Sequence, residues 1–144
     1  MILFLLDTNI VSELSKPAPD AACVAWLDAN EGKCGLSVVT LSELRYGVER
    51  LADGKNKSQR ARDFDFLLED YRGRLFEFDG PAAVEWGRYA AELEARYGSD
   101  WWKTYDLRDT QIAAIAREYG LTVVTRNEKH FPLCDLVNPF IASK

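Results

Sequence analysis

The stretch ILFLLDTNIVSEL, residues 2–14, decides the reading of the fold. Ile2 to Leu6 is an unbroken apolar run of strand length, the pattern of a strand buried on both faces. Asp7-Thr8-Asn9 ends it, and a short helical pattern from Ile10 to Leu14 follows. A strand that passes through a polar turn into a helix places the Asp7 carboxylate at the carboxyl edge of a sheet, where open α/β sheets bind their ligands. Asp7 also reads as a helix cap, although Thr8 or Asn9 can cap equally well and leave it free.

The same alternation continues outward from this stretch. Lys16 to Asp20 breaks the first helix, and Asp20 caps the next, which runs through Val24, Trp26 and Leu27. Gly32 precedes a second strand expected over Cys34–Val39, with a helix over Leu41–Leu51. Lys57 to Tyr71 carries Phe64, Leu67, Leu68 and Tyr71 at helical offsets. Leu75 to Phe78 reads as a strand, Asp79-Gly80-Pro81 opens a helix reaching Tyr97, and Gly98 to Tyr105 reads as a loop. Asp106 starts a helix that stops at Tyr119-Gly120; Leu121–Thr125 is a strand, Arg126–Pro132 a turn, and Leu136-Val137 a short edge strand. Strands that alternate with helices imply parallel pairing through crossovers, so residues 1–144 are expected to form a single α/β domain with helices on both sheet faces.

Composition narrows the class. With 144 residues, 47% hydrophobic and 28% charged, the chain is long enough for one packed core and too apolar for disorder. No signal peptide or membrane span is visible, and Cys23, Cys34 and Cys134 are widely spaced, so reduced thiols in a cytoplasmic protein are expected. With His130 the only histidine and no C-x-x-C pair, zinc is a poor fit. The formal charge of −5 excludes nucleic-acid binding by overall charge. It leaves open an acidic metal site, because a bound divalent ion inverts the local field that a phosphate meets.

Three acids stand where such a site would need them. Asp7 follows the first strand. Glu43 follows the second, where Thr40-Leu41-Ser42-Glu43 also reads as a capping box. Asp109 occupies the third helical position after Asp106, itself readable as the cap. Each has a structural reading on its own, but together they would concentrate negative charge on one edge. A hard cation with oxygen ligands is the natural compensation, and magnesium there can activate water and stabilise charge on a phosphate.

The segments LLDTNIVSEL (5–14), LSELRYGVERL (41–51) and DTQIAAIAREYGLTVVTRNEKHF (109–131), with the closing Asn138-Pro139-Phe140, resemble a PIN-domain ribonuclease. They are most similar to the VapC toxins of bacterial toxin–antitoxin pairs, including the FitB-like branch. That resemblance implies a three-layer α/β/α fold with a central parallel sheet of four or five strands. It implies a magnesium-dependent endoribonuclease, with manganese a possible substitute, whose metal ligands match Asp7, Glu43 and Asp109. A fourth family carboxylate falls on Asn127, which cannot supply charge, and that departure leaves the count of one or two metal ions open. Thr8 and Asn9 match the polar pair that supports the first acid. The expected partners are an RNA substrate, a DNA-binding VapB-like antitoxin and a second copy of the chain in a homodimer.

Arg126 and Lys129 are candidate phosphate contacts near this site, and His130 is not needed as a base. Lys55, Lys57, Arg60 and Arg62 form a charged face read as solvated rather than RNA-binding. Trp101 and Trp102 read first as core, then as interface, and last as base-stacking platforms. Phosphotransfer of the haloacid-dehalogenase type wants a second acid where Asn9 stands. The non-enzyme alternative is a protein-interaction module with a degenerate metal site.

Overall fold

The computed structural model describes residues 1–141. In chain order the elements are β1 (Phe4–Leu6), α1 (Thr8–Leu14), α2 (Ala21–Ala29), β2 (Cys34–Ser37), α3 (Val38–Glu49), α4 (Lys55–Asp70) and β3 (Leu75–Phe76). There follow α5 (Gly80–Tyr97), α6 (Trp101–Thr104), α7 (Leu107–Tyr119), β4 (Thr122–Val124), a 3-10 turn (Glu128–His130) and β5 (Leu136–Val137). The five strands form one parallel sheet in the order β3-β2-β1-β4-β5.

The period-2 geometry of strands divides the core between two faces. Leu5 and Val123 point to one side, where α5 and α7 supply Ala82, Tyr89, Leu93, Ile112, Ala113, Ile115 and Ala116. Leu6, Leu36 and Val124 point to the other, against Ile10, Val11, Cys23 and Tyr71. The three-layer α/β/α arrangement follows. α7 has almost no exposed face over Ile112–Ala116, which explains a run of alanines and isoleucines without clear amphipathic spacing. Gly120 ends α7 with φ +66°, a left-handed conformation that suits glycine.

Several boundaries differ from expectation. α1 begins at Thr8 rather than Ile10, because Asp7 itself is the N-cap. β2 stops at Ser37, and Val38 and Val39, strand formers by propensity, open α3 because the Ser37 hydroxyl oxygen accepts from the Thr40 N–H at 3.0 Å. β3 ends at Phe76, two residues short of Phe78. The expected loop over 98–105 contains α6, and the turn over 126–132 contains the 3-10 turn. Trp101 packs partly buried on the α5/α7 core beside Trp86, whereas Trp102 is exposed. No helix among the described residues is long and apolar enough to cross a membrane.

From β1 the chain builds toward β2 and β3, then crosses back to place β4 on the other side of β1. The carboxyl ends of β1 and β4 therefore flank a topological switch point, which opens a crevice there.

Candidate active site

The crevice is a cleft of about 390 Å³ lined by Asp7, Thr8, Asn9, Ser12, Glu13, Lys16, Glu43, Asp109, Arg126, Asn127 and His130. Asp7, Glu43 and Asp109 thus arrive from three separate segments: the end of β1, the second turn of α3 and the first turn of α7.

Asp7 is buried and held from three directions. Its Oδ1 accepts from the Thr8 N–H at 2.8 Å, and its Oδ2 accepts from the Asn9 amide at 3.0 Å and the Thr125 hydroxyl at 2.9 Å. Thr125, buried at the end of β4, in turn accepts from the Asn127 N–H at 3.0 Å. This hydroxyl ties the first and fourth strands together through the acid between them. Asn9 also accepts from the Arg126 N–H at 3.3 Å, which fixes the start of the loop after β4.

Glu43 does not complete a capping box with Thr40. Ser37 takes the capping role one turn earlier, so Glu43 sits beyond the first turn, with its carboxylate directed to the cleft. Its Oε1 accepts from the Thr8 hydroxyl at 2.9 Å, and Arg108 approaches its Oε2 at 3.8 Å. Asp106 is the N-cap of α7, accepting from the Arg108 N–H, which leaves Asp109 free to face the cleft. His130 Nδ1 lies 3.4 Å from Asp109 Oδ2.

The electrostatics of these acids share one sign. Burial pushes the Asp7 carboxyl above its ordinary range despite the hydrogen bonds from Thr125 and Thr8. Burial raises Glu43 as well. Asp109 is pushed up to about 7, by burial first and then by Asp7, Asp106 and Glu43. Negative charge is thus crowded and incompletely compensated by the protein.

The donor set is oxygen only, which suits a hard divalent cation and not zinc. Among the described residues, no three His, Cys, Asp or Glu side chains stand close enough to coordinate one ion as they lie. Glu43 is engaged instead with the Thr8 hydroxyl and Arg108. The chemistry of the donors fits magnesium or manganese, with Asp7, Glu43 and Asp109 as the residues that would hold it.

The remaining expected residues sort by position. Asn127 is exposed at the cleft, and Arg126 lines it; Lys129 is not among the lining residues. Lys57 is engaged with Glu49 and Asp53, Arg60 with Ser15 and Arg62 with Gln59, so this face is largely occupied by contacts within the chain. Sequence reasoning missed Thr125, which reads as an ordinary strand residue, and also Ser12, Glu13 and Lys16. The only advance signal for the last pair was the i,i+3 spacing of opposite charges.

An α/β fold with carboxylates gathered at the switch point defines the class, and a family model confirms it: the chain belongs to the PIN-domain family, matched over residues 4–134. It is 35% identical to toxin FitB of Neisseria gonorrhoeae over 96% of this chain and 99% of that protein. It is 36% identical to the tRNA(fMet)-specific endonuclease VapC of Shigella flexneri, with 91% of each covered. Among solved structures it is similar to FitAB bound to an IR36 DNA fragment, with a TM-score of 0.89, 30% identity and 99% of each chain covered. The FitAcB crystal structure from Neisseria gonorrhoeae gives a TM-score of 0.83 at 33% identity, covering 96% of this chain and 99% of that one.

Proposed function

We propose that this protein is a metal-dependent endoribonuclease and acts as the toxin of a toxin–antitoxin pair. The observation that carries the reading is the convergence of Asp7, Glu43 and Asp109 on one cleft at the switch point, all with carboxyls raised by burial. The full-length relatives named ribonuclease VapC and toxin FitB support the substrate class and the toxin role.

In this reading Asp7, Glu43 and Asp109 hold magnesium, or manganese in its place. When bound, the ion supplies Lewis-acid activation of water and neutralises charge on the scissile phosphate. The protein's own work is orientation. Thr125, Asn9 and the Thr8 N–H fix the Asp7 carboxylate, while the Thr8 hydroxyl fixes Glu43. Asn127 brings no charge to the cleft and donates its backbone N–H to Thr125, so a metal titration is what decides between one ion and two. Arg126 lines the cleft, which supports it as a phosphate contact in a protein whose net charge is otherwise unfavourable for one.

The proposed partner is a DNA-binding antitoxin protein, in keeping with relatives solved as FitAB and VapBC complexes on DNA. A second groove of about 490 Å³ adjoins the acidic cleft and shares Thr8, Ser12, Lys16 and Glu43 with it. Leu44, Val48, Leu51, Phe64 and Leu67 give it an apolar floor, suited to a partner segment that leads into the cleft. A homodimer is part of the same reading and is checked by mass in solution.

A second reading, an interaction module with a degenerate metal site, is favoured by Asn127 and by the separation of the carboxylates. One experiment separates the two. Purified protein is incubated with end-labelled bacterial RNA in magnesium, in manganese and in chelator, with Asp7→Ala alongside, and both versions are expressed alone in bacteria. Discrete metal-dependent products and growth arrest, both lost in the variant, are expected. RNA left intact under every condition by antitoxin-free protein would leave the module.

A further inference from the structure

Glu13 has no part in the chemistry assigned above, yet its carboxylate is buried at the end of α1 on the wall of the acidic cleft. A buried carboxylate is costly unless it is paired. Its Oε1 accepts from Lys16 Nζ at 2.8 Å, its Oε2 accepts from the Asp20 N–H at 3.0 Å, and Arg126 Nη1 stands 3.9 Å from Oε1. These partners come from both ends of the fold: Lys16 follows α1, and Arg126 follows β4.

Both cations keep more than half of their side-chain surface in solvent, 56% for Lys16 and 58% for Arg126, and both line the cleft. Arg126 is braced further by Phe140, whose ring centre lies 4.6 Å from the guanidinium. One buried anion thus orients two exposed cations toward a cleft with an acidic floor. The trio carries net positive charge in a chain whose total is −5. Lysine and arginine side chains lose considerable rotamer entropy when a ligand orders them, and a cation already held gives part of that loss up in advance.

We propose that Glu13 is a positioning residue, holding Lys16 and Arg126 as a preformed two-cation clamp for a non-scissile phosphate of the RNA strand. The inference rests on the nuclease reading and deepens it: the acidic centre handles the bond to be cut, and the clamp handles the adjoining backbone. A purely structural tie between α1, Asp20 and the loop after β4 makes a different prediction, since it affects stability and not the response of binding to salt.

The test is fluorescence anisotropy of a short labelled oligouridylate against the full chain across a salt series, with calcium in place of magnesium, beside cleavage kinetics in magnesium. Lys16→Met and Arg126→Met are each expected to flatten the log–log salt dependence by about 0.7, the loss of one phosphate contact on a single strand. Glu13→Gln is expected to weaken binding several-fold, with the loss falling on KM more than on kcat. In the chain already lacking both cations it should add no further loss. Glu13→Gln that binds as tightly as the parent or more tightly overturns the clamp, as does an equal loss in the cation-free background or a parent that does not bind. Should Glu13→Gln fail to fold, unchanged salt slopes in the two cation variants overturn it alone. Metal-dependent cleavage that persists while the clamp predictions fail leaves the nuclease reading standing; absent cleavage removes that reading itself.

Discussion

Asp109 concentrates the charge conflict of the cleft, and its consequences can be read with the sign worked out. Its carboxyl is pushed up to about 7 in the folded chain, well above the ordinary aspartate range, so the folded state binds the proton more tightly than the unfolded state. Below the unfolded value this group imposes no penalty. As pH rises toward 7 the unfolded chain releases the proton first, and stability falls across that window. Asp109→Asn cannot ionise, so it should raise the melting temperature of metal-free protein in mildly alkaline buffer and change it little in acid. An equal melting temperature in alkaline buffer would show that the carboxylate is not strained. Thr125 acts in the opposite sense, favouring ionised Asp7 through its hydroxyl. Thr125→Val should cost roughly 10–100-fold in metal affinity and cleavage, the usual effect of removing a hydrogen bond behind a ligand, and should leave the circular dichroism spectrum unchanged. Full activity in that variant would remove Thr125 from the site. Asp7, Glu43 and Asp109 were legible because each acid follows an apolar strand or opens a helix. Thr125 was not, because a threonine at a strand end has a sufficient local explanation in β propensity. Glu13 was not, because one of the two cations beside it is Arg126, more than a hundred residues away in the chain.

At the scale of elements, the strand-helix alternation was plain in the sequence, while boundaries turned on single side chains. β-branched Val38 and Val39 favour a strand, yet the Ser37 hydroxyl starts α3 before them, and that shift moves Glu43 out of the first turn. The short α6 follows Gly98, whose φ of +92° marks the end of α5, and its four residues are too few to show a period. Close approach of β2 and β3 sets another local demand. A Cβ on Gly35 would stand 2.7 Å from the Phe76 ring and 2.9 Å from the Arg74 carbonyl oxygen, the group that accepts from the Leu36 N–H. Because one of those atoms is backbone, relief requires the strands to separate. Gly35→Ala should therefore destabilise by about 1–3 kcal/mol, the range typical of an overpacked core, as read from urea unfolding. Unfolding at the parental urea concentration would mean that the edge strand moves freely. Since β2 leads into Ser37 and α3, activity should fall with stability.

The whole molecule solves a problem that no single element shows. A chain of net charge −5 is proposed to act on a polyanion, and in that proposal geometry takes the place of total charge. The sheet order brings the ends of β1 and β4 together and lets α3 and α7 lean acids into the same crevice. Lys16 and Arg126 on its wall then supply local positive charge beside an acidic floor, and Arg108 approaches Glu43 at 3.8 Å. Burial and crowding of these acids favour protonation or a cation among them, which makes binding of a divalent ion the property to measure. The most direct measurement is a manganese titration of purified wild-type chain at neutral pH, following free manganese by electron paramagnetic resonance, with Asp7→Asn and Asp109→Asn in parallel. Saturable binding of one or two ions per chain is expected, displaced by magnesium and lost in both variants. Free manganese that tracks total manganese into the millimolar range, in wild type as in the variants, would contradict it.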